Sequence, residues 1–210
     1  MTIIGALASG RGSNFQALVE AQKRGEFDGR FAVLVSDKPD AGALSIARDN
    51  GINAVSILPK DFPNRDAHEE AVVKALKENG VQLVCLAGYM RIVSALLLRE
   101  FGGRILNIHP ALLPSFPGLH GQRQALAHGA KVAGATVHFV DGGCDTGPII
   151  AQAAVPVEEN DTEETLSARI LSQEHRIYPL AVRLYCEGRL KVEGRRVQIL
   201  PNGRGKGEDK

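Results

Sequence analysis

Composition and charge exclude several classes of protein. The chain has 210 residues, of which 44% are hydrophobic and 23% charged, which suits one packed α/β domain. A formal net charge of +1 and the lack of tryptophan argue against a nucleic-acid binder, which would carry a basic surface and stacking aromatic rings. The apolar run of "MTIIGALASG" is too short for a signal peptide or a membrane span. We therefore expect a cytoplasmic protein with neither a nucleic-acid nor a membrane partner.

The first half of the chain alternates short apolar runs with helical patterns. Buried strands are predicted over 3–8, 31–36, 54–58, 82–88 and 104–109, because each run is short and bounded by turn residues. The clearest helical pattern covers 65–79 and stops at Gly80. This alternation predicts an open, mostly parallel, twisted α/β sheet with helices on both faces. On such sheets, ligands bind at the carboxyl ends of the strands.

"ASGRGSN", residues 8–14, joins the first predicted strand to a helical pattern. Gly10 and Gly12 allow a ligand to approach the backbone closely, and a helix N-terminus attracts anions. A dinucleotide fingerprint would need a third glycine where Phe15 stands. We interpret the loop as a site for a single phosphate; the alternative is a tight turn in which Ser13 caps the helix.

"NIHPALLPSFPG", residues 107–118, places an amide and an imidazole at the end of the fifth predicted strand. Asn107 and His109 have the same parity, so both side chains project to one side of that strand. Three prolines within eight residues then restrict the loop that follows. An amide can donate to a developing oxyanion and an imidazole can transfer a proton, so the pair fits carbonyl chemistry; a packing role for His109 is the alternative.

The remaining histidines outside the long C-terminal helical pattern lack such a context. We interpret His68, His120, His128 and His138 as surface or packed residues. The three cysteines, Cys85, Cys144 and Cys186, form no C-x-x-C pair, so we expect free thiols, no metal site and no redox cofactor.

A change of pattern near residue 133 predicts an antiparallel addition to the sheet. Strand-like runs over 134–140 and 149–157 are joined by the glycine-rich "DGGCDTGP", with no helix between them. This loop carries Asp141 and Asp145. A carboxylate beside an imidazole stabilises the protonated ring and fixes its orientation.

A long helix is predicted from Thr162 to near Gly188. Asp161 and Glu164 have capping-box spacing, and we expect Pro179 to kink the helix.

Glu174 lies on the apolar face of this predicted helix, beside Leu166, Ile170 and Ile177. A buried carboxylate needs a partner. It either pairs with Arg169 or Arg176, or faces the site and accepts hydrogen bonds from a substrate.

The end of the chain, "RLKVEGRRVQIL" followed by a polar, glycine-rich decapeptide, predicts a hairpin turning at Glu193–Gly194 and a frayed tail. We predict one domain over 1–192, then a terminal hairpin strand and flexible tail over 193–210.

Five segments together resemble one family. "SGRGSN", "LAGYMRIVS", "NIHPALLPSFPGLHG", "GATVHFVDGGCDTGPII" and "SQEHRIYPL" are similar, in order, to the phosphoribosylglycinamide formyltransferases of de novo purine synthesis. The Asn-x-His-Pro and Asp-x-Gly elements are common to the transferases and hydrolases that use formyltetrahydrofolate, whereas "GRGSN" occurs in a narrower group. The family commonly has Leu where Val93 stands and Ser where Ala111 stands.

The resemblance implies two small-molecule substrates, glycinamide ribonucleotide as acceptor and 10-formyltetrahydrofolate as donor and co-substrate, in a monomer or homodimer. It also implies direct acyl transfer, with Asn107 and His109 holding the oxyanion and His109, supported by Asp145, donating a proton. Its carried-over binding residues are Gly12, Ser13 and Asn14 for the phosphate, Glu174 for the ribose, and Arg65, Met90, Arg91, Ile92, Val93, Asn107, Asp141 and Asp145 for the folate.

Three other functions remain as alternatives. A formyltetrahydrofolate hydrolase would use water in place of the amine, and its family carries a further N-terminal domain. A methionyl-tRNA formyltransferase would carry a further C-terminal domain with a basic surface. A binding module could keep the fold without the chemistry, although the presence of Asn107, His109 and Asp145 argues against it.

Overall fold

The computed structural model describes residues 1–202, which form one nine-stranded sheet. The strands are β1 (Thr2–Ala8), β2 (Gly29–Ser36), β3 (Asn53–Ser56), β4 (Leu83–Leu86), β5 (Ile105–His109), β6 (Val132–Phe139), β7 (Ile149–Pro156), β8 (Leu190–Glu193) and β9 (Arg196–Ile199). Their spatial order is β3-β2-β1-β4-β5-β6-β7-β9-β8. The first five strands are parallel, and β6 runs antiparallel to both β5 and β7. The predicted open sheet with antiparallel additions is confirmed.

Helices cover both faces of the sheet. They are α1 (Ser13–Lys23), α2 (Gly42–Asp49), α3 (Arg65–Glu78), α4 (Ala95–Phe101), α5 (Gly121–Ala127) and α6 (Glu163–Cys186), with a short 3-10 turn at Pro59–Asp61. Buried residues of α1, α2, α5 and α6 share one hydrophobic core with one face of the sheet, whereas α3 and α4 share a second core with the other face. Within residues 1–202, none of the helices combines the length and apolarity that a membrane span requires.

The order of the parallel strands determines where a ligand can bind. The chain runs from β1 outward to β2 and β3, then returns to the other side of β1 with β4 and β5. Crossovers that diverge on the two sides of a strand leave a crevice at its carboxyl end. The ends of β1, β4 and β5 therefore border the expected site.

The cap of α6 differs from the prediction by one residue. Thr162 is the N-cap, and its side chain and that of Thr165 exchange hydrogen bonds with each other's backbone. The predicted pairing of Asp161 with Glu164 is wrong: Asp161 instead pairs with Arg169 at 2.6 Å. The helix continues through the buried Pro179 to Cys186.

The C-terminal hairpin belongs to the main sheet. β9 pairs in parallel with β7 through Ile149 and Arg196, and antiparallel with β8. Glu193 pairs with Arg196, so the turn is Gly194–Arg195, one residue later than predicted. The domain boundary predicted at residue 193 stays a prediction and falls at the last residue of β8. Most of the predicted tail, residues 203–210, lies outside the described residues.

The pairing of β6 with β7 gives a test of the fold. A Cβ added at Gly134 would press against the backbone oxygen of Ala153 on β7. We expect Gly134→Ala to lower the free energy of unfolding by about 1–3 kcal/mol, the cost of overpacking a close-packed interior. Urea denaturation with Gly142→Ala as the control would measure it, because a Cβ at Gly142 meets nothing within 4 Å. Wild-type stability of Gly134→Ala would contradict the β6–β7 register.

Candidate active site

The loops after β1 and β4 are tied together at the crevice. The Ser9 N–H donates to Gly88 O at 3.0 Å, and the Ser9 hydroxyl accepts from the Met90 N–H at 2.9 Å. Ser9 is buried, so these bonds are shielded from water. This role of Ser9 could not be predicted from the sequence, because it depends on a partner 81 residues away.

Asn107, His109 and Asp145 lie together at the end of β5. Asn107 Nδ2 donates to Asp145 Oδ1 at 3.3 Å, and His109 Nδ1 lies 3.3 Å from Asp145 Oδ2. The His109 side chain is 5% exposed and that of Asp145 12% exposed, so the cluster is largely removed from water. The structure brings together the three residues that the sequence predicts to be catalytic.

Both nitrogens of the His109 ring face hydrogen-bond acceptors. Nε2 lies 2.9 Å from Phe116 O, and Nδ1 faces the carboxylate of Asp145. A carbonyl and a carboxylate oxygen can only accept, so a ring carrying a proton on each nitrogen satisfies both contacts. This environment suits an imidazole that acts as a proton donor.

The backbone around these contacts adopts conformations that are uncommon for residues with side chains. Phe116 and Asp145 both have φ of 55°. A left-handed backbone conformation is unfavourable for residues other than glycine, and it is retained where surrounding contacts enforce it. Here Phe116 presents its carbonyl to His109, and the Gly118 N–H donates to Asp145 Oδ2 at 2.8 Å.

The Asp145 carboxyl is held in its ionised form. Burial alone would raise its pKa, but pairing with His138, the Gly118 N–H and the charge of His109 together lower the pKa to about 2. Asp145 is therefore a permanent anion and hydrogen-bond acceptor at neutral pH.

His138 also belongs to this cluster. It is buried, and its Nε2 lies 3.1 Å from Asn107 Nδ2 and 3.5 Å from Asp145 Oδ1. The interpretation of His138 as a merely packed residue is thus incomplete. Asn107 and His138 are direct partners across β5 and β6, a register that the sequence alone does not show.

Asp141 supports the shape of the loop between β6 and β7. Its Oδ1 accepts from the Gly143 N–H at 3.1 Å and from the Thr146 hydroxyl at 2.6 Å. These bonds span the segment that carries Asp145.

The N-terminus of α1 has the geometry expected of an anion site. The first intrahelical hydrogen bond runs from the Gln16 N–H to Gly12 O, which leaves the N–H groups of residues 13–15 without helical partners. Gly12 is the N-cap, with φ of 84° and no side-chain cap. The alternative in which Ser13 caps the helix is therefore wrong.

Packing alone accounts for glycine at position 12. An added Cβ would lie 2.7 Å from Ala43 Cα on α2, whereas one at Gly10 would meet nothing within 4 Å. A phosphate is thus not needed to explain the glycine at position 12, because α2 already excludes a side chain there.

Glu174 faces this same helix terminus. Its Oε2 accepts from Asn14 Nδ2 at 2.6 Å, and the side chain is buried. Burial raises the pKa of Glu174, and the hydrogen bond from Asn14 opposes the rise.

The expected arginine partners of Glu174 are engaged elsewhere. Arg169 pairs with Asp161, and Arg176 donates to Gln173 at 2.6 Å. The salt-bridge interpretation of Glu174 is wrong, and the structure instead joins it to the predicted phosphate loop.

The turn after β4 presents apolar side chains to solvent. Met90 is 62% exposed and Ile92 68% exposed, whereas Val93 packs against the second core. Arg65, the first residue of α3, donates to Ile92 O at 2.7 Å and pairs with Glu69 at 3.2 Å. Arg91 is partly buried, with an Nε that has no partner among residues 1–202. The predicted folate-binding residues of this turn thus adjoin Arg65.

The described residues show neither a disulfide nor a metal-binding cluster. All three cysteines are free, and residues 1–202 contain no group of three or more His, Cys, Asp or Glu side chains placed to hold a metal ion.

Comparison with known proteins assigns the family. A model described as formyl transferase matches residues 3–182. The phosphoribosylglycinamide formyltransferase of Bacillus subtilis (strain 168) is 47% identical over 176 residues, 84% of this chain and 90% of the relative. The chain belongs to the formyl transferase family, among its phosphoribosylglycinamide formyltransferases. The resemblance found in the sequence is confirmed.

Solved structures of formyl transferases agree with the fold. Glycinamide ribonucleotide transformylase 1 from Symbiobacterium toebii superimposes with a TM-score of 0.95 at 57% identity, covering 96% of this chain and 95% of that one. A formyltetrahydrofolate deformylase from Pseudomonas syringae pv. tomato str. DC3000 superimposes with a TM-score of 0.88 at 26% identity, covering 95% of this chain and 66% of that one. The scaffold is therefore shared between a transformylase and a deformylase.

Proposed function

We propose that the protein transfers the formyl group of 10-formyltetrahydrofolate to the amine of glycinamide ribonucleotide in purine biosynthesis. The observation that carries this proposal is the contact of Asp145 with both Asn107 and His109, at the edge of the sheet where the N-terminus of α1 also lies. Membership of the formyl transferase family supports 10-formyltetrahydrofolate as the formyl donor. The loop at the N-terminus of α1 supports an amine that carries a phosphate, and not water, as the acceptor.

The acceptor binds between α1 and α6. Its phosphate meets the free N–H groups of residues 13–15, with Ser13 and Asn14 adding side-chain donors and Gly12 setting the turn. Glu174, held by Asn14, accepts hydrogen bonds from the ribose hydroxyls. A hydrolase has no need of such a site, since water carries neither a phosphate nor a ribose.

The donor binds across the turn after β4 and the loop between β6 and β7. Met90 and Ile92 offer exposed apolar surface for the folate rings, together with Arg91 and Val93. Arg65 is fixed by Ile92 O and turns a guanidinium toward the carboxylate tail. Asp141 and Asp145 shape the opposite wall through their loop.

The chemistry is direct acyl transfer. The amine attacks the formyl carbon, and the carbonyl oxygen becomes an oxyanion that accepts hydrogen bonds from Asn107 and the protonated His109. The carbon–nitrogen bond to the folate then breaks, and the folate nitrogen takes a proton from His109. The former amine releases a proton to solvent, from which His109 is protonated again. Asp145 keeps the His109 ring oriented, and His138 helps to position Asn107.

A substrate-dependence assay tests the proposed function. Purified protein is mixed with 10-formyltetrahydrofolate in the presence or absence of glycinamide ribonucleotide, and the folate product is followed by absorbance. We expect folate product only with both substrates, with an equal amount of formylated acceptor by mass spectrometry. Equal rates with and without the acceptor would instead indicate a hydrolase.

Substitution of Asn107 or His109 tests the catalytic assignment. Loss of a preorganised oxyanion donor costs on the order of 100- to 1000-fold in turnover. We expect Asn107→Ala and His109→Ala to lower kcat by this amount while the dissociation constant of a folate analogue, from calorimetry, changes little. Asn160→Ala, at an exposed turn before α6, is the control. Near-normal kcat in either variant would remove that residue from the mechanism.

A further inference from the structure

The hairpin turn at the end of the sheet reaches back to the active-site loop. Arg195, in the turn between β8 and β9, donates from Nη2 to Thr146 O at 3.2 Å. Thr146 directly follows Asp145, and its hydroxyl donates to Asp141 Oδ1. A side chain near the end of the chain therefore contacts the segment that holds the central carboxylate.

The strand pairing places this turn beside the loop. β9 joins the sheet at Ile149, three residues after Thr146, through its pair with Arg196. Because Ile149 is the first residue of β7, the turn that precedes β9 lies next to the end of the loop. The position of Arg195 is thus set by the sheet.

A cavity of about 340 Å³ lies between the hairpin and the two active-site loops. Arg195 lines it, together with Asp145 and Gly147 from one loop and Pro114 and Pro117 from the other. Because of this cavity, the loop between β6 and β7 lacks close packing on this side. The Arg195 side chain makes a polar contact with the loop here, through its hydrogen bond to Thr146 O. Arg195 has no carboxylate partner among the residues that the structure describes, so its guanidinium is available to the loop.

We propose that Arg195 is a positioning residue for the formyl donor, which it serves by holding the loop of residues 140–148 in its binding conformation through Thr146 O. The proposal rests on the proposed function, in which this loop forms one wall of the folate site. Arg195 contacts no reacting atom, so its effect falls on donor binding more than on the chemical step. The acceptor site, at α1 and α6, is independent of it.

Arg195→Ala tests the proposal, with Arg196→Ala as the matched control. Arg196 lies next to Arg195 and is also exposed, but within residues 1–202 only Arg195 of the two donates a side-chain hydrogen bond to the loop. We expect Arg195→Ala to raise the KM for 10-formyltetrahydrofolate about 2- to 10-fold, the range that one net hydrogen bond supplies. The kcat, the KM for glycinamide ribonucleotide and the melting temperature should stay close to wild type, and Arg195→Lys should restore part of the donor KM.

Hydrogen–deuterium exchange gives a second measurement that needs no enzymatic activity. In the absence of substrates, peptides covering 140–148 should exchange faster in Arg195→Ala than in wild type or Arg196→Ala. Unchanged exchange in this segment, or equal changes in both variants, would overturn the proposal. If exchange increases as expected but wild-type protein transfers no formyl group, Arg195 does hold the loop through Thr146 O, and it is the proposed function that is contradicted.

Discussion

The carboxylate of Asp145 is shared among groups from three separate parts of the chain, and the arrangement of the site depends on it. One oxygen faces Asn107 and His138, and the other accepts from the Gly118 N–H and pairs with His109. A carboxylate has enough lone pairs for all four, and its low pKa keeps it charged while it serves them. Without this anion, the Gly118 N–H and His109 Nδ1 would lose the acceptor that they share.

The change from parallel to antiparallel pairing at β5 makes this sharing possible. Parallel strands place the ends of β1, β4 and β5 at one edge of the sheet, where the predicted phosphate loop and the apolar turn also lie. β6 returns in the opposite direction, so His138 lies opposite Asn107 near the start of the loop that carries Asp145. The left-handed backbone at Phe116 and Asp145 completes the arrangement by directing a carbonyl and a carboxylate at the same imidazole.

The parts of this arrangement that are local in sequence could be predicted. Apolar runs bounded by turn residues predicted the strands, and the spacing of Asn107 and His109 on one strand predicted their common orientation. The roles of Ser9, His138 and Arg195 could not be predicted, because each depends on a partner that only strand order and register bring near. The capping box at Thr162 and the turn at Gly194–Arg195 differ from prediction by a single residue, since neighbouring polar residues satisfy the same pattern equally well.

A double-mutant cycle between Asp145 and His109 tests most directly whether the carboxylate acts through the imidazole. The measurement is kcat for formyl transfer in wild type, Asp145→Asn, His109→Ala and the double variant, with folate-analogue binding as the check on folding. We expect kcat of the double variant to be within about 10-fold of that of the slower single variant, because residues that act as a unit have non-additive effects. A double variant whose loss equals the product of the two single losses would show that Asp145 and His109 contribute independently, and would contradict the account.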